Sequence, residues 1–215
     1  MHIPDGTLSQ TQEGLAVLAA GAVVAAAGTG LALRRLEYEE IPRTALLSAA
    51  FFVASLIHVP LGPTSTHLVL NGLVGLVLGL LAFPAVFVGL LLQAVFFGFG
   101  GLTTLGLNTA TMALPAVACF YLFRRAVQSE REWMVFAGGY AAGALAIVVS
   151  AVLTAGAWQL TGRQFLIVAQ VTLAANLPVV LIEGLVVGSA AVFLRRVRPE
   201  VFAAEPLPAV EVAHG

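Results

Sequence analysis

The placement of charge constrains this chain more than any other feature. All ten basic residues are arginine, and lysine is absent. Nine of the arginines fall in three clusters: Arg34, Arg35 and Arg43; Arg124, Arg125 and Arg131; Arg195, Arg196 and Arg198. Long apolar stretches run between them. With 60% of residues hydrophobic and 10% charged, against roughly 25% charged in soluble domains, there is too little polar surface to cover a water-soluble fold of this length. The chain reads as a polytopic integral membrane protein.

A bilayer core of about 30 Å takes roughly 20 apolar residues per helix, fewer inside a bundle. On that measure the pattern predicts an all-α integral membrane fold, a single bundle of seven transmembrane helices near 14–33, 44–58, 67–82, 84–102, 108–126, 133–158 and 172–194. The second and third are short. Ala82-Phe83-Pro84 reads as a tight helical hairpin between the third and fourth, with Pro84 in the first turn of the next helix. Glycines at GxxxG spacing recur at Gly75/Gly79, Gly139/Gly143 and Gly184/Gly188, a spacing that lets helix backbones approach closely. Seven spans put all three arginine clusters on one face. The positive-inside rule makes that face cytoplasmic, so the N-terminus is expected outside and the C-terminus in the cytoplasm.

Residues 1–196 form one transmembrane domain in this reading. Residues 197–215, with Pro199, Pro206, Pro208 and His214, form a cytoplasmic tail expected to be disordered. Met1-His2-Ile3-Pro4-Asp5-Gly6 has no basic leader and is not read as a signal peptide. The single Cys119 excludes a disulfide framework. A net charge of −1 argues against a nucleic-acid partner, leaving the lipid bilayer as the surrounding medium.

The topology gathers the N-terminus, the His58–His67 segment and the glycine-rich 98–108 segment on one side. A free α-amine followed by histidine is a chelator: the Met1 amine, the His2 amide nitrogen and the His2 Nδ1 lie in one plane around a metal. A fourth nitrogen completes a square plane, which suits Ni(II) and Cu(II). The remaining histidines are His58, His67 and His214. His67 follows the capping run Pro63-Thr64-Ser65-Thr66 at the outer start of the third helix. An N-terminal Met-His is most often only a start, and a lone interfacial histidine is most often no ligand. The two gain weight from sharing a face and from the turn signal Pro4-Asp5-Gly6. Glu183 is the one acid placed inside a helix; Gln93 or Asn108 are candidate partners, and a structural or coupling role is favoured over ligation. Asn71, Asn176, Gln93 and Asn108 are the other amides near the spans.

Four ordered motifs resemble a known family. Met1-His2-Ile3-Pro4-Asp5-Gly6 is similar to the N-terminal signature of the CbiM/NikM family, the substrate-specific components of energy-coupling-factor cobalt and nickel transporters. Gly62-Pro63-Thr64-Ser65-Thr66-His67-Leu68, the stretch Gln93–Asn108 and Leu177-Pro178-Val179-Val180-Leu181-Ile182-Glu183-Gly184-Leu185 resemble three further motifs, so the likeness spans residues 1–196. It implies a metal held by Met1, His2 and His67. His58, Ser65, Asn71, Gln93 and Asn108 are candidates to surround and orient those ligands, against the plainer readings of His58 as an interfacial residue and of the amides as helix–helix hydrogen-bonding groups. Ni(II) or Co(II) is then the transported substrate, and Pro4-Asp5-Gly6 resembles the nickel members. Phe99, Leu107 and Asn176 depart from residues common in the family. The resemblance also implies a prokaryotic plasma membrane, a membrane coupling subunit, two cytoplasmic ATPase subunits and, in some members, a small accessory membrane protein.

A P-loop requires a lysine after its glycines, so no nucleotide site of that kind exists in this chain, and uptake driven by ATP rests on partners. The rival reading is a secondary transporter or channel working without them, which ordinarily carries more intramembrane acids. An enzyme reading finds neither HExxH nor GxSxG. A vitamin-binding component needs aromatic walls, and only 8% of residues are aromatic.

Overall fold

A backbone in lipid has no water to bond, so an apolar stretch must satisfy its own amides as helix. The computed structural model follows that rule. It describes residues 2–61, 64–162 and 166–202, with backbone alone for 58–61 and 64–66. Its α-helices are α1 (Gln12–Leu33), α2 (Ile41–Ala54), α3 (Asn71–Leu78), α4 (Ala82–Phe97), α5 (Leu105–Val127), α6 (Glu132–Thr161) and α7 (Leu166–Val197). Five stretches are long and apolar enough to cross a membrane: 12–33, 71–97, 105–127, 132–161 and 166–197. Many of their large apolar side chains face outward, among them Leu15, Val23, Leu31, Leu122, Leu160 and Leu185. An apolar exterior of this kind suits lipid contact and makes the protein multi-pass.

The 71–97 stretch is not straight. Gly79, at φ 54 and ψ −121, ends α3, and a 3-10 turn over Gly79–Leu81 leads into α4. The turn therefore falls at 79–81 rather than at the expected 82–84, with Pro84 inside the first turn of α4. A glycine can take that backbone conformation without a Cβ clash. His67, just before α3, and Phe99, just after α4, have ring centroids 6.4 Å apart. The two limbs thus enter and leave at the same end. At about 1.5 Å per residue, the eight residues of α3 reach roughly 12 Å, well short of a span.

The segment expected to carry helix up to His58 and from His67 onward is instead a short antiparallel hairpin. Strand β1 (His58–Leu61) pairs with β2 (Thr64–His67) in the register His58↔His67, Val59↔Thr66, Pro60↔Ser65 and Leu61↔Thr64. The Leu68 amide extends the pairing to Ile57 O at 3.2 Å. His67 therefore ends a strand rather than starting a helix.

Helix packing uses the predicted glycines. A Cβ at Gly143 would lie 2.7 Å from Glu183 O, and one at Gly139 would lie 2.9 Å from Gly188 Cα, so α6 and α7 touch backbone to backbone. Gly75 abuts the Ala116 carbonyl of α5, where a Cβ would come within 2.0 Å. The main core runs through α3, α4, α5, α6 and α7, and a second cluster gathers Ile3, Leu8, Leu18, Leu107, Ala155, Ala157, Trp158 and Ala169. The start of the expected tail is packed: Pro199–Phe202 form a 3-10 turn, Phe202 is buried, and its carbonyl accepts from Gln128 Nε2 at 2.6 Å. His214 lies outside the described residues.

Candidate metal centre

The N-terminal segment is folded into the bundle by residues about a hundred positions away. Ile3 is fully buried, and burying one such side chain contributes about 1.5–3 kcal/mol. Its backbone is read in both directions by one amide: Ile3 N donates to Asn108 Oδ1 at 3.0 Å, and Asn108 Nδ2 donates to Ile3 O at 3.2 Å. Thr104 Oγ1 donates to the same carbonyl at 2.9 Å. Asp5 N donates to Gly100 O at 2.8 Å, Thr103 N donates to Asp5 Oδ1 at 3.2 Å, and the Thr103 hydroxyl donates to that oxygen as well.

Thr103 and Thr104 stand where α5 would be capped, yet neither caps it by side chain. Their hydroxyls serve the N-terminal segment instead. Gly98, at φ 67, closes α4 in the left-handed conformation, with its own amide on Ala94 O and that of Phe99 on Gln93 O, each at 3.2 Å. That reversal carries Phe99 inward. At Gly101 a Cβ would sit 2.2 Å from Asp5 Cβ, so only glycine lets the two loops meet.

These loops bring His2 onto His67. The imidazole centroids are 4.8 Å apart with 18° between planes. Phe99 lies 6.4 Å from His67 at 4° and 6.3 Å from His2 at 19°, which makes a set of three near-parallel rings. His67 is buried, and its Nδ1 lies 2.9 Å from Leu68 O. A carbonyl accepts only, so Nδ1 carries the proton and the lone pair is on Nε2, an arrangement common behind metal-binding histidines. Both ring nitrogens of His2 are buried without a hydrogen-bond partner among the described residues. The His2 pKa is held well below 6.5, first by burial, then by the positive terminal amine and by His67. A neutral imidazole is the form that binds metal.

The remaining expected residues divide. Asn108 reaches the centre through Ile3. Asn71 does not: its Nδ2 donates to Met112 O at 3.2 Å and Ser150 Oγ at 3.0 Å, toward α5 and α6. Gln93 is fully buried in α4, with neither side-chain amide atom bonded among the described residues. Glu183 meets neither Gln93 nor Asn108 in a hydrogen bond; it accepts from the Val69 and Leu70 amides. Met1 lies outside the described residues, as do the side chains of His58 and Ser65. Sequence reasoning gave Asp5 only as part of a turn signal and passed over the individual roles of Thr103 and Thr104. Their signal was a paired hydroxyl directly before a helix whose amides need a cap.

Among the described residues no group of three or more His, Cys, Asp or Glu side chains gathers in one place. The chemistry available is two imidazoles beside backbone nitrogens, a donor set that favours borderline transition metals over Ca(II) or Mg(II).

The chain as a whole is similar to known metal transport proteins. The family model of the CbiM cobalt uptake substrate-specific transmembrane region matches residues 2–201. A Haemophilus influenzae protein named for metal transport is 40% identical over 205 residues, covering 94% of this chain and 96% of that one. The fused nickel transport protein NikMN of Rhodobacter capsulatus is 32% identical over 240 residues, covering 100% of this chain and 67% of the relative. The cobalt transport protein CbiM of Sorangium cellulosum is 32% identical over 197 residues, covering 85% of each. A solved structure of a transition metal transporter superposes with a TM-score of 0.67 at 25% identity, covering 92% of this chain and 93% of that one.

Proposed function

The chain belongs to the CbiM/NikM family of membrane components for cobalt and nickel uptake, and from that premise we propose that it is the substrate-binding subunit of an ATP-driven energy-coupling-factor transporter that takes up nickel in preference to cobalt. The metal is held by the Met1 amine, the His2 amide nitrogen, His2 Nδ1 and His67 Nε2. One observation carries this reading: two imidazoles with buried ring nitrogens stacked at 4.8 Å, one of them on an N-terminal segment whose next residue is gripped by Asn108 and Thr104.

The preference for nickel rests on coordination number. Four nitrogens in a plane suit low-spin Ni(II), whereas Zn(II) prefers a tetrahedron. The Phe99 ring runs within 19° of His2 and 4° of His67, and an apolar ring in that position leaves a metal no additional donor on its side. Phe99 is thereby the wall that disfavours the higher coordination numbers open to Co(II).

Seven helices with the N-terminus outside place the three arginine clusters together at the cytoplasmic face. Residues 1–196 make the transmembrane domain and 197–215 the cytoplasmic tail. Metal enters from outside, sheds water and is enclosed by the N-terminal segment. A membrane coupling subunit and two cytoplasmic ATPases, with a small accessory membrane protein in some systems, drive release inward. The amine and the amide must each lose a proton on binding, so affinity falls steeply below neutral pH.

The test is Ni(II) binding by purified protein with Met1 as the first residue, beside the same protein carrying one extra residue before Met1. The expected result is stoichiometric binding with a yellow low-spin absorption band, both lost on extension. Equal binding by both overturns the amine-centred plane. Metal uptake into vesicles by this chain alone, without ATPases, moves the reading to a secondary transporter or channel.

A further inference from the structure

Glu183 is fully buried in α7, and nothing in metal capture as described uses it. A carboxyl group inside a membrane bundle is costly unless its oxygens are hydrogen-bonded. Here both oxygens accept backbone amides: Oε1 from Val69 and, at 3.0 Å, from Leu70, and Oε2 from Leu70 at 3.1 Å. These amides stand at the start of α3, where N–H groups have no partner within the helix and the helix dipole favours negative charge. Leu70, at φ 57, is the one non-glycine residue with positive φ among the described residues. A leucine keeps that conformation only where its surroundings enforce it, and two carboxylate contacts to its own amide supply the restraint.

The clamped residues are continuous with His67. Its Nδ1 bonds Leu68 O, and Val69 is the next residue. The position and tautomer of the imidazole therefore depend on a four-residue segment, 67–70, pinned at its far end by a side chain from α7. The opposite end of α7 is pinned separately, since Arg195 donates to Gln128 O at 3.3 Å and to Ser129 O at 3.5 Å.

We propose that Glu183 is a positioning residue for the transported metal. Its carboxylate fixes the 67–70 segment so that His67 faces His2, and it makes α7 the element through which movement at the arginine end reaches the metal. This rests on the nickel-capture reading above. Sliding α7 against α3 breaks the carboxylate contacts, frees the left-handed leucine and draws His67 away from His2. Release then requires no incoming ligand.

The experiment is Ni(II) titration of wild type, Glu183→Gln, Glu183→Asp and Ser48→Ala, followed by affinity, absorption band and thermal midpoint. Ser48 serves as control because its hydroxyl also ties a buried side chain to a backbone carbonyl, Ala85 O at 2.8 Å, but between α2 and α4 and away from the centre. Glu183→Gln is expected to bind Ni(II) at least tenfold more weakly with a shifted band, and Glu183→Asp to recover part of both. Ser48→Ala is expected to lose thermal stability while keeping wild-type affinity and spectrum. Coupling is reciprocal, so Ni(II) is also expected to slow hydrogen exchange at the Val69 and Leu70 amides of wild type. That measurement decides the matter if Glu183→Gln does not fold. A folded Glu183→Gln with wild-type affinity and band, or exchange at Val69 and Leu70 indifferent to Ni(II), overturns the coupling and leaves metal capture intact. Wild type that binds no Ni(II) overturns both.

Discussion

The two ends of this bundle are held together by different physics. At the end carrying residues 2–6, the ties to Ile3 and to the start of α3 are wholly or partly buried and run from side chain to backbone: Asn108 and Thr104 on Ile3, Glu183 on Val69 and Leu70. At the arginine end, Arg196 meets Glu132 at 2.6 Å with side chains 63% and 58% exposed, and Arg198 meets Glu200 at 3.3 Å. Water and lipid headgroups can replace an exposed ion pair at little cost. Nothing inside the bundle can replace a buried amide that loses its partner. One end is therefore built for fixed geometry, as the proposed metal plane demands, and the other for a surface that can adjust.

Removing a proposed ligand breaks that contrast most directly. His67→Ala is expected to bring Ni(II) binding below detection in calorimetry while the protein stays folded. Next in size is Asn108→Ala, which removes both bonds to Ile3; loss of a residue that orients a metal site typically costs about 10–100-fold in affinity. A result within twofold of wild type would show that burial of Ile3 alone positions His2.

Phe99→Ala tests the wall rather than the ligands. The ratio of nickel to cobalt affinity is expected to narrow several-fold as the side of the plane opens, read from competition titrations. An unchanged ratio would return selectivity to the nitrogens alone.

A smaller effect is expected of Asp5, which stands outside the spans. The Thr103 hydroxyl chiefly, with the Thr103 and Gly6 amides, holds its carboxyl below the ordinary 3.8 against an opposing cost of burial. A docked carboxyl with a lowered pKa stabilises above the undocked value and ceases to as pH falls through the docked one. N-terminal docking is thus expected to be at full strength above about pH 5 and to weaken below 3.8, seen as faster exchange at the Ile3 and Asp5 amides. Asp5→Asn should remove that dependence. Least of all, Arg196→Ala should barely change stability, as exposed ion pairs contribute little, and leave Ni(II) affinity unaltered. A large loss there would mean the two ends are less different than their burial implies.

Much of this was legible before any fold was in hand, for reasons specific to particular residues. Long apolar runs must be helical in lipid, so α1, α5, α6 and α7 were predicted within a few residues at most of their ends. His2 and His67 were paired by counting spans, since an odd or even number of crossings decides which loops meet. The glycines of α6 and α7 were visible as a pattern, and packing turned that pattern into contact. Asn71 was misplaced because hydrophobic periodicity reports which helix face is buried only where water covers the other face. In a membrane both faces are apolar, and the rotation that turns Asn71 toward Ser150 leaves no trace in composition.

The amino-acid sequence by itself determined that this is a multi-pass membrane chain, that its charge lies in three arginine clusters and that His2 and His67 belong to segments on one side of the spans. Hydrophobicity and valence are local properties and need no neighbours to act. Only the tertiary structure decided that the 71–97 stretch folds back at Gly79, that Thr103 and Thr104 serve the N-terminus rather than their own helix, and that Glu183 closes on the segment after His67. Those outcomes depend on depth, rotation and close approach between helices, which arise when buried amides far apart in sequence must find partners and no water is present to supply them.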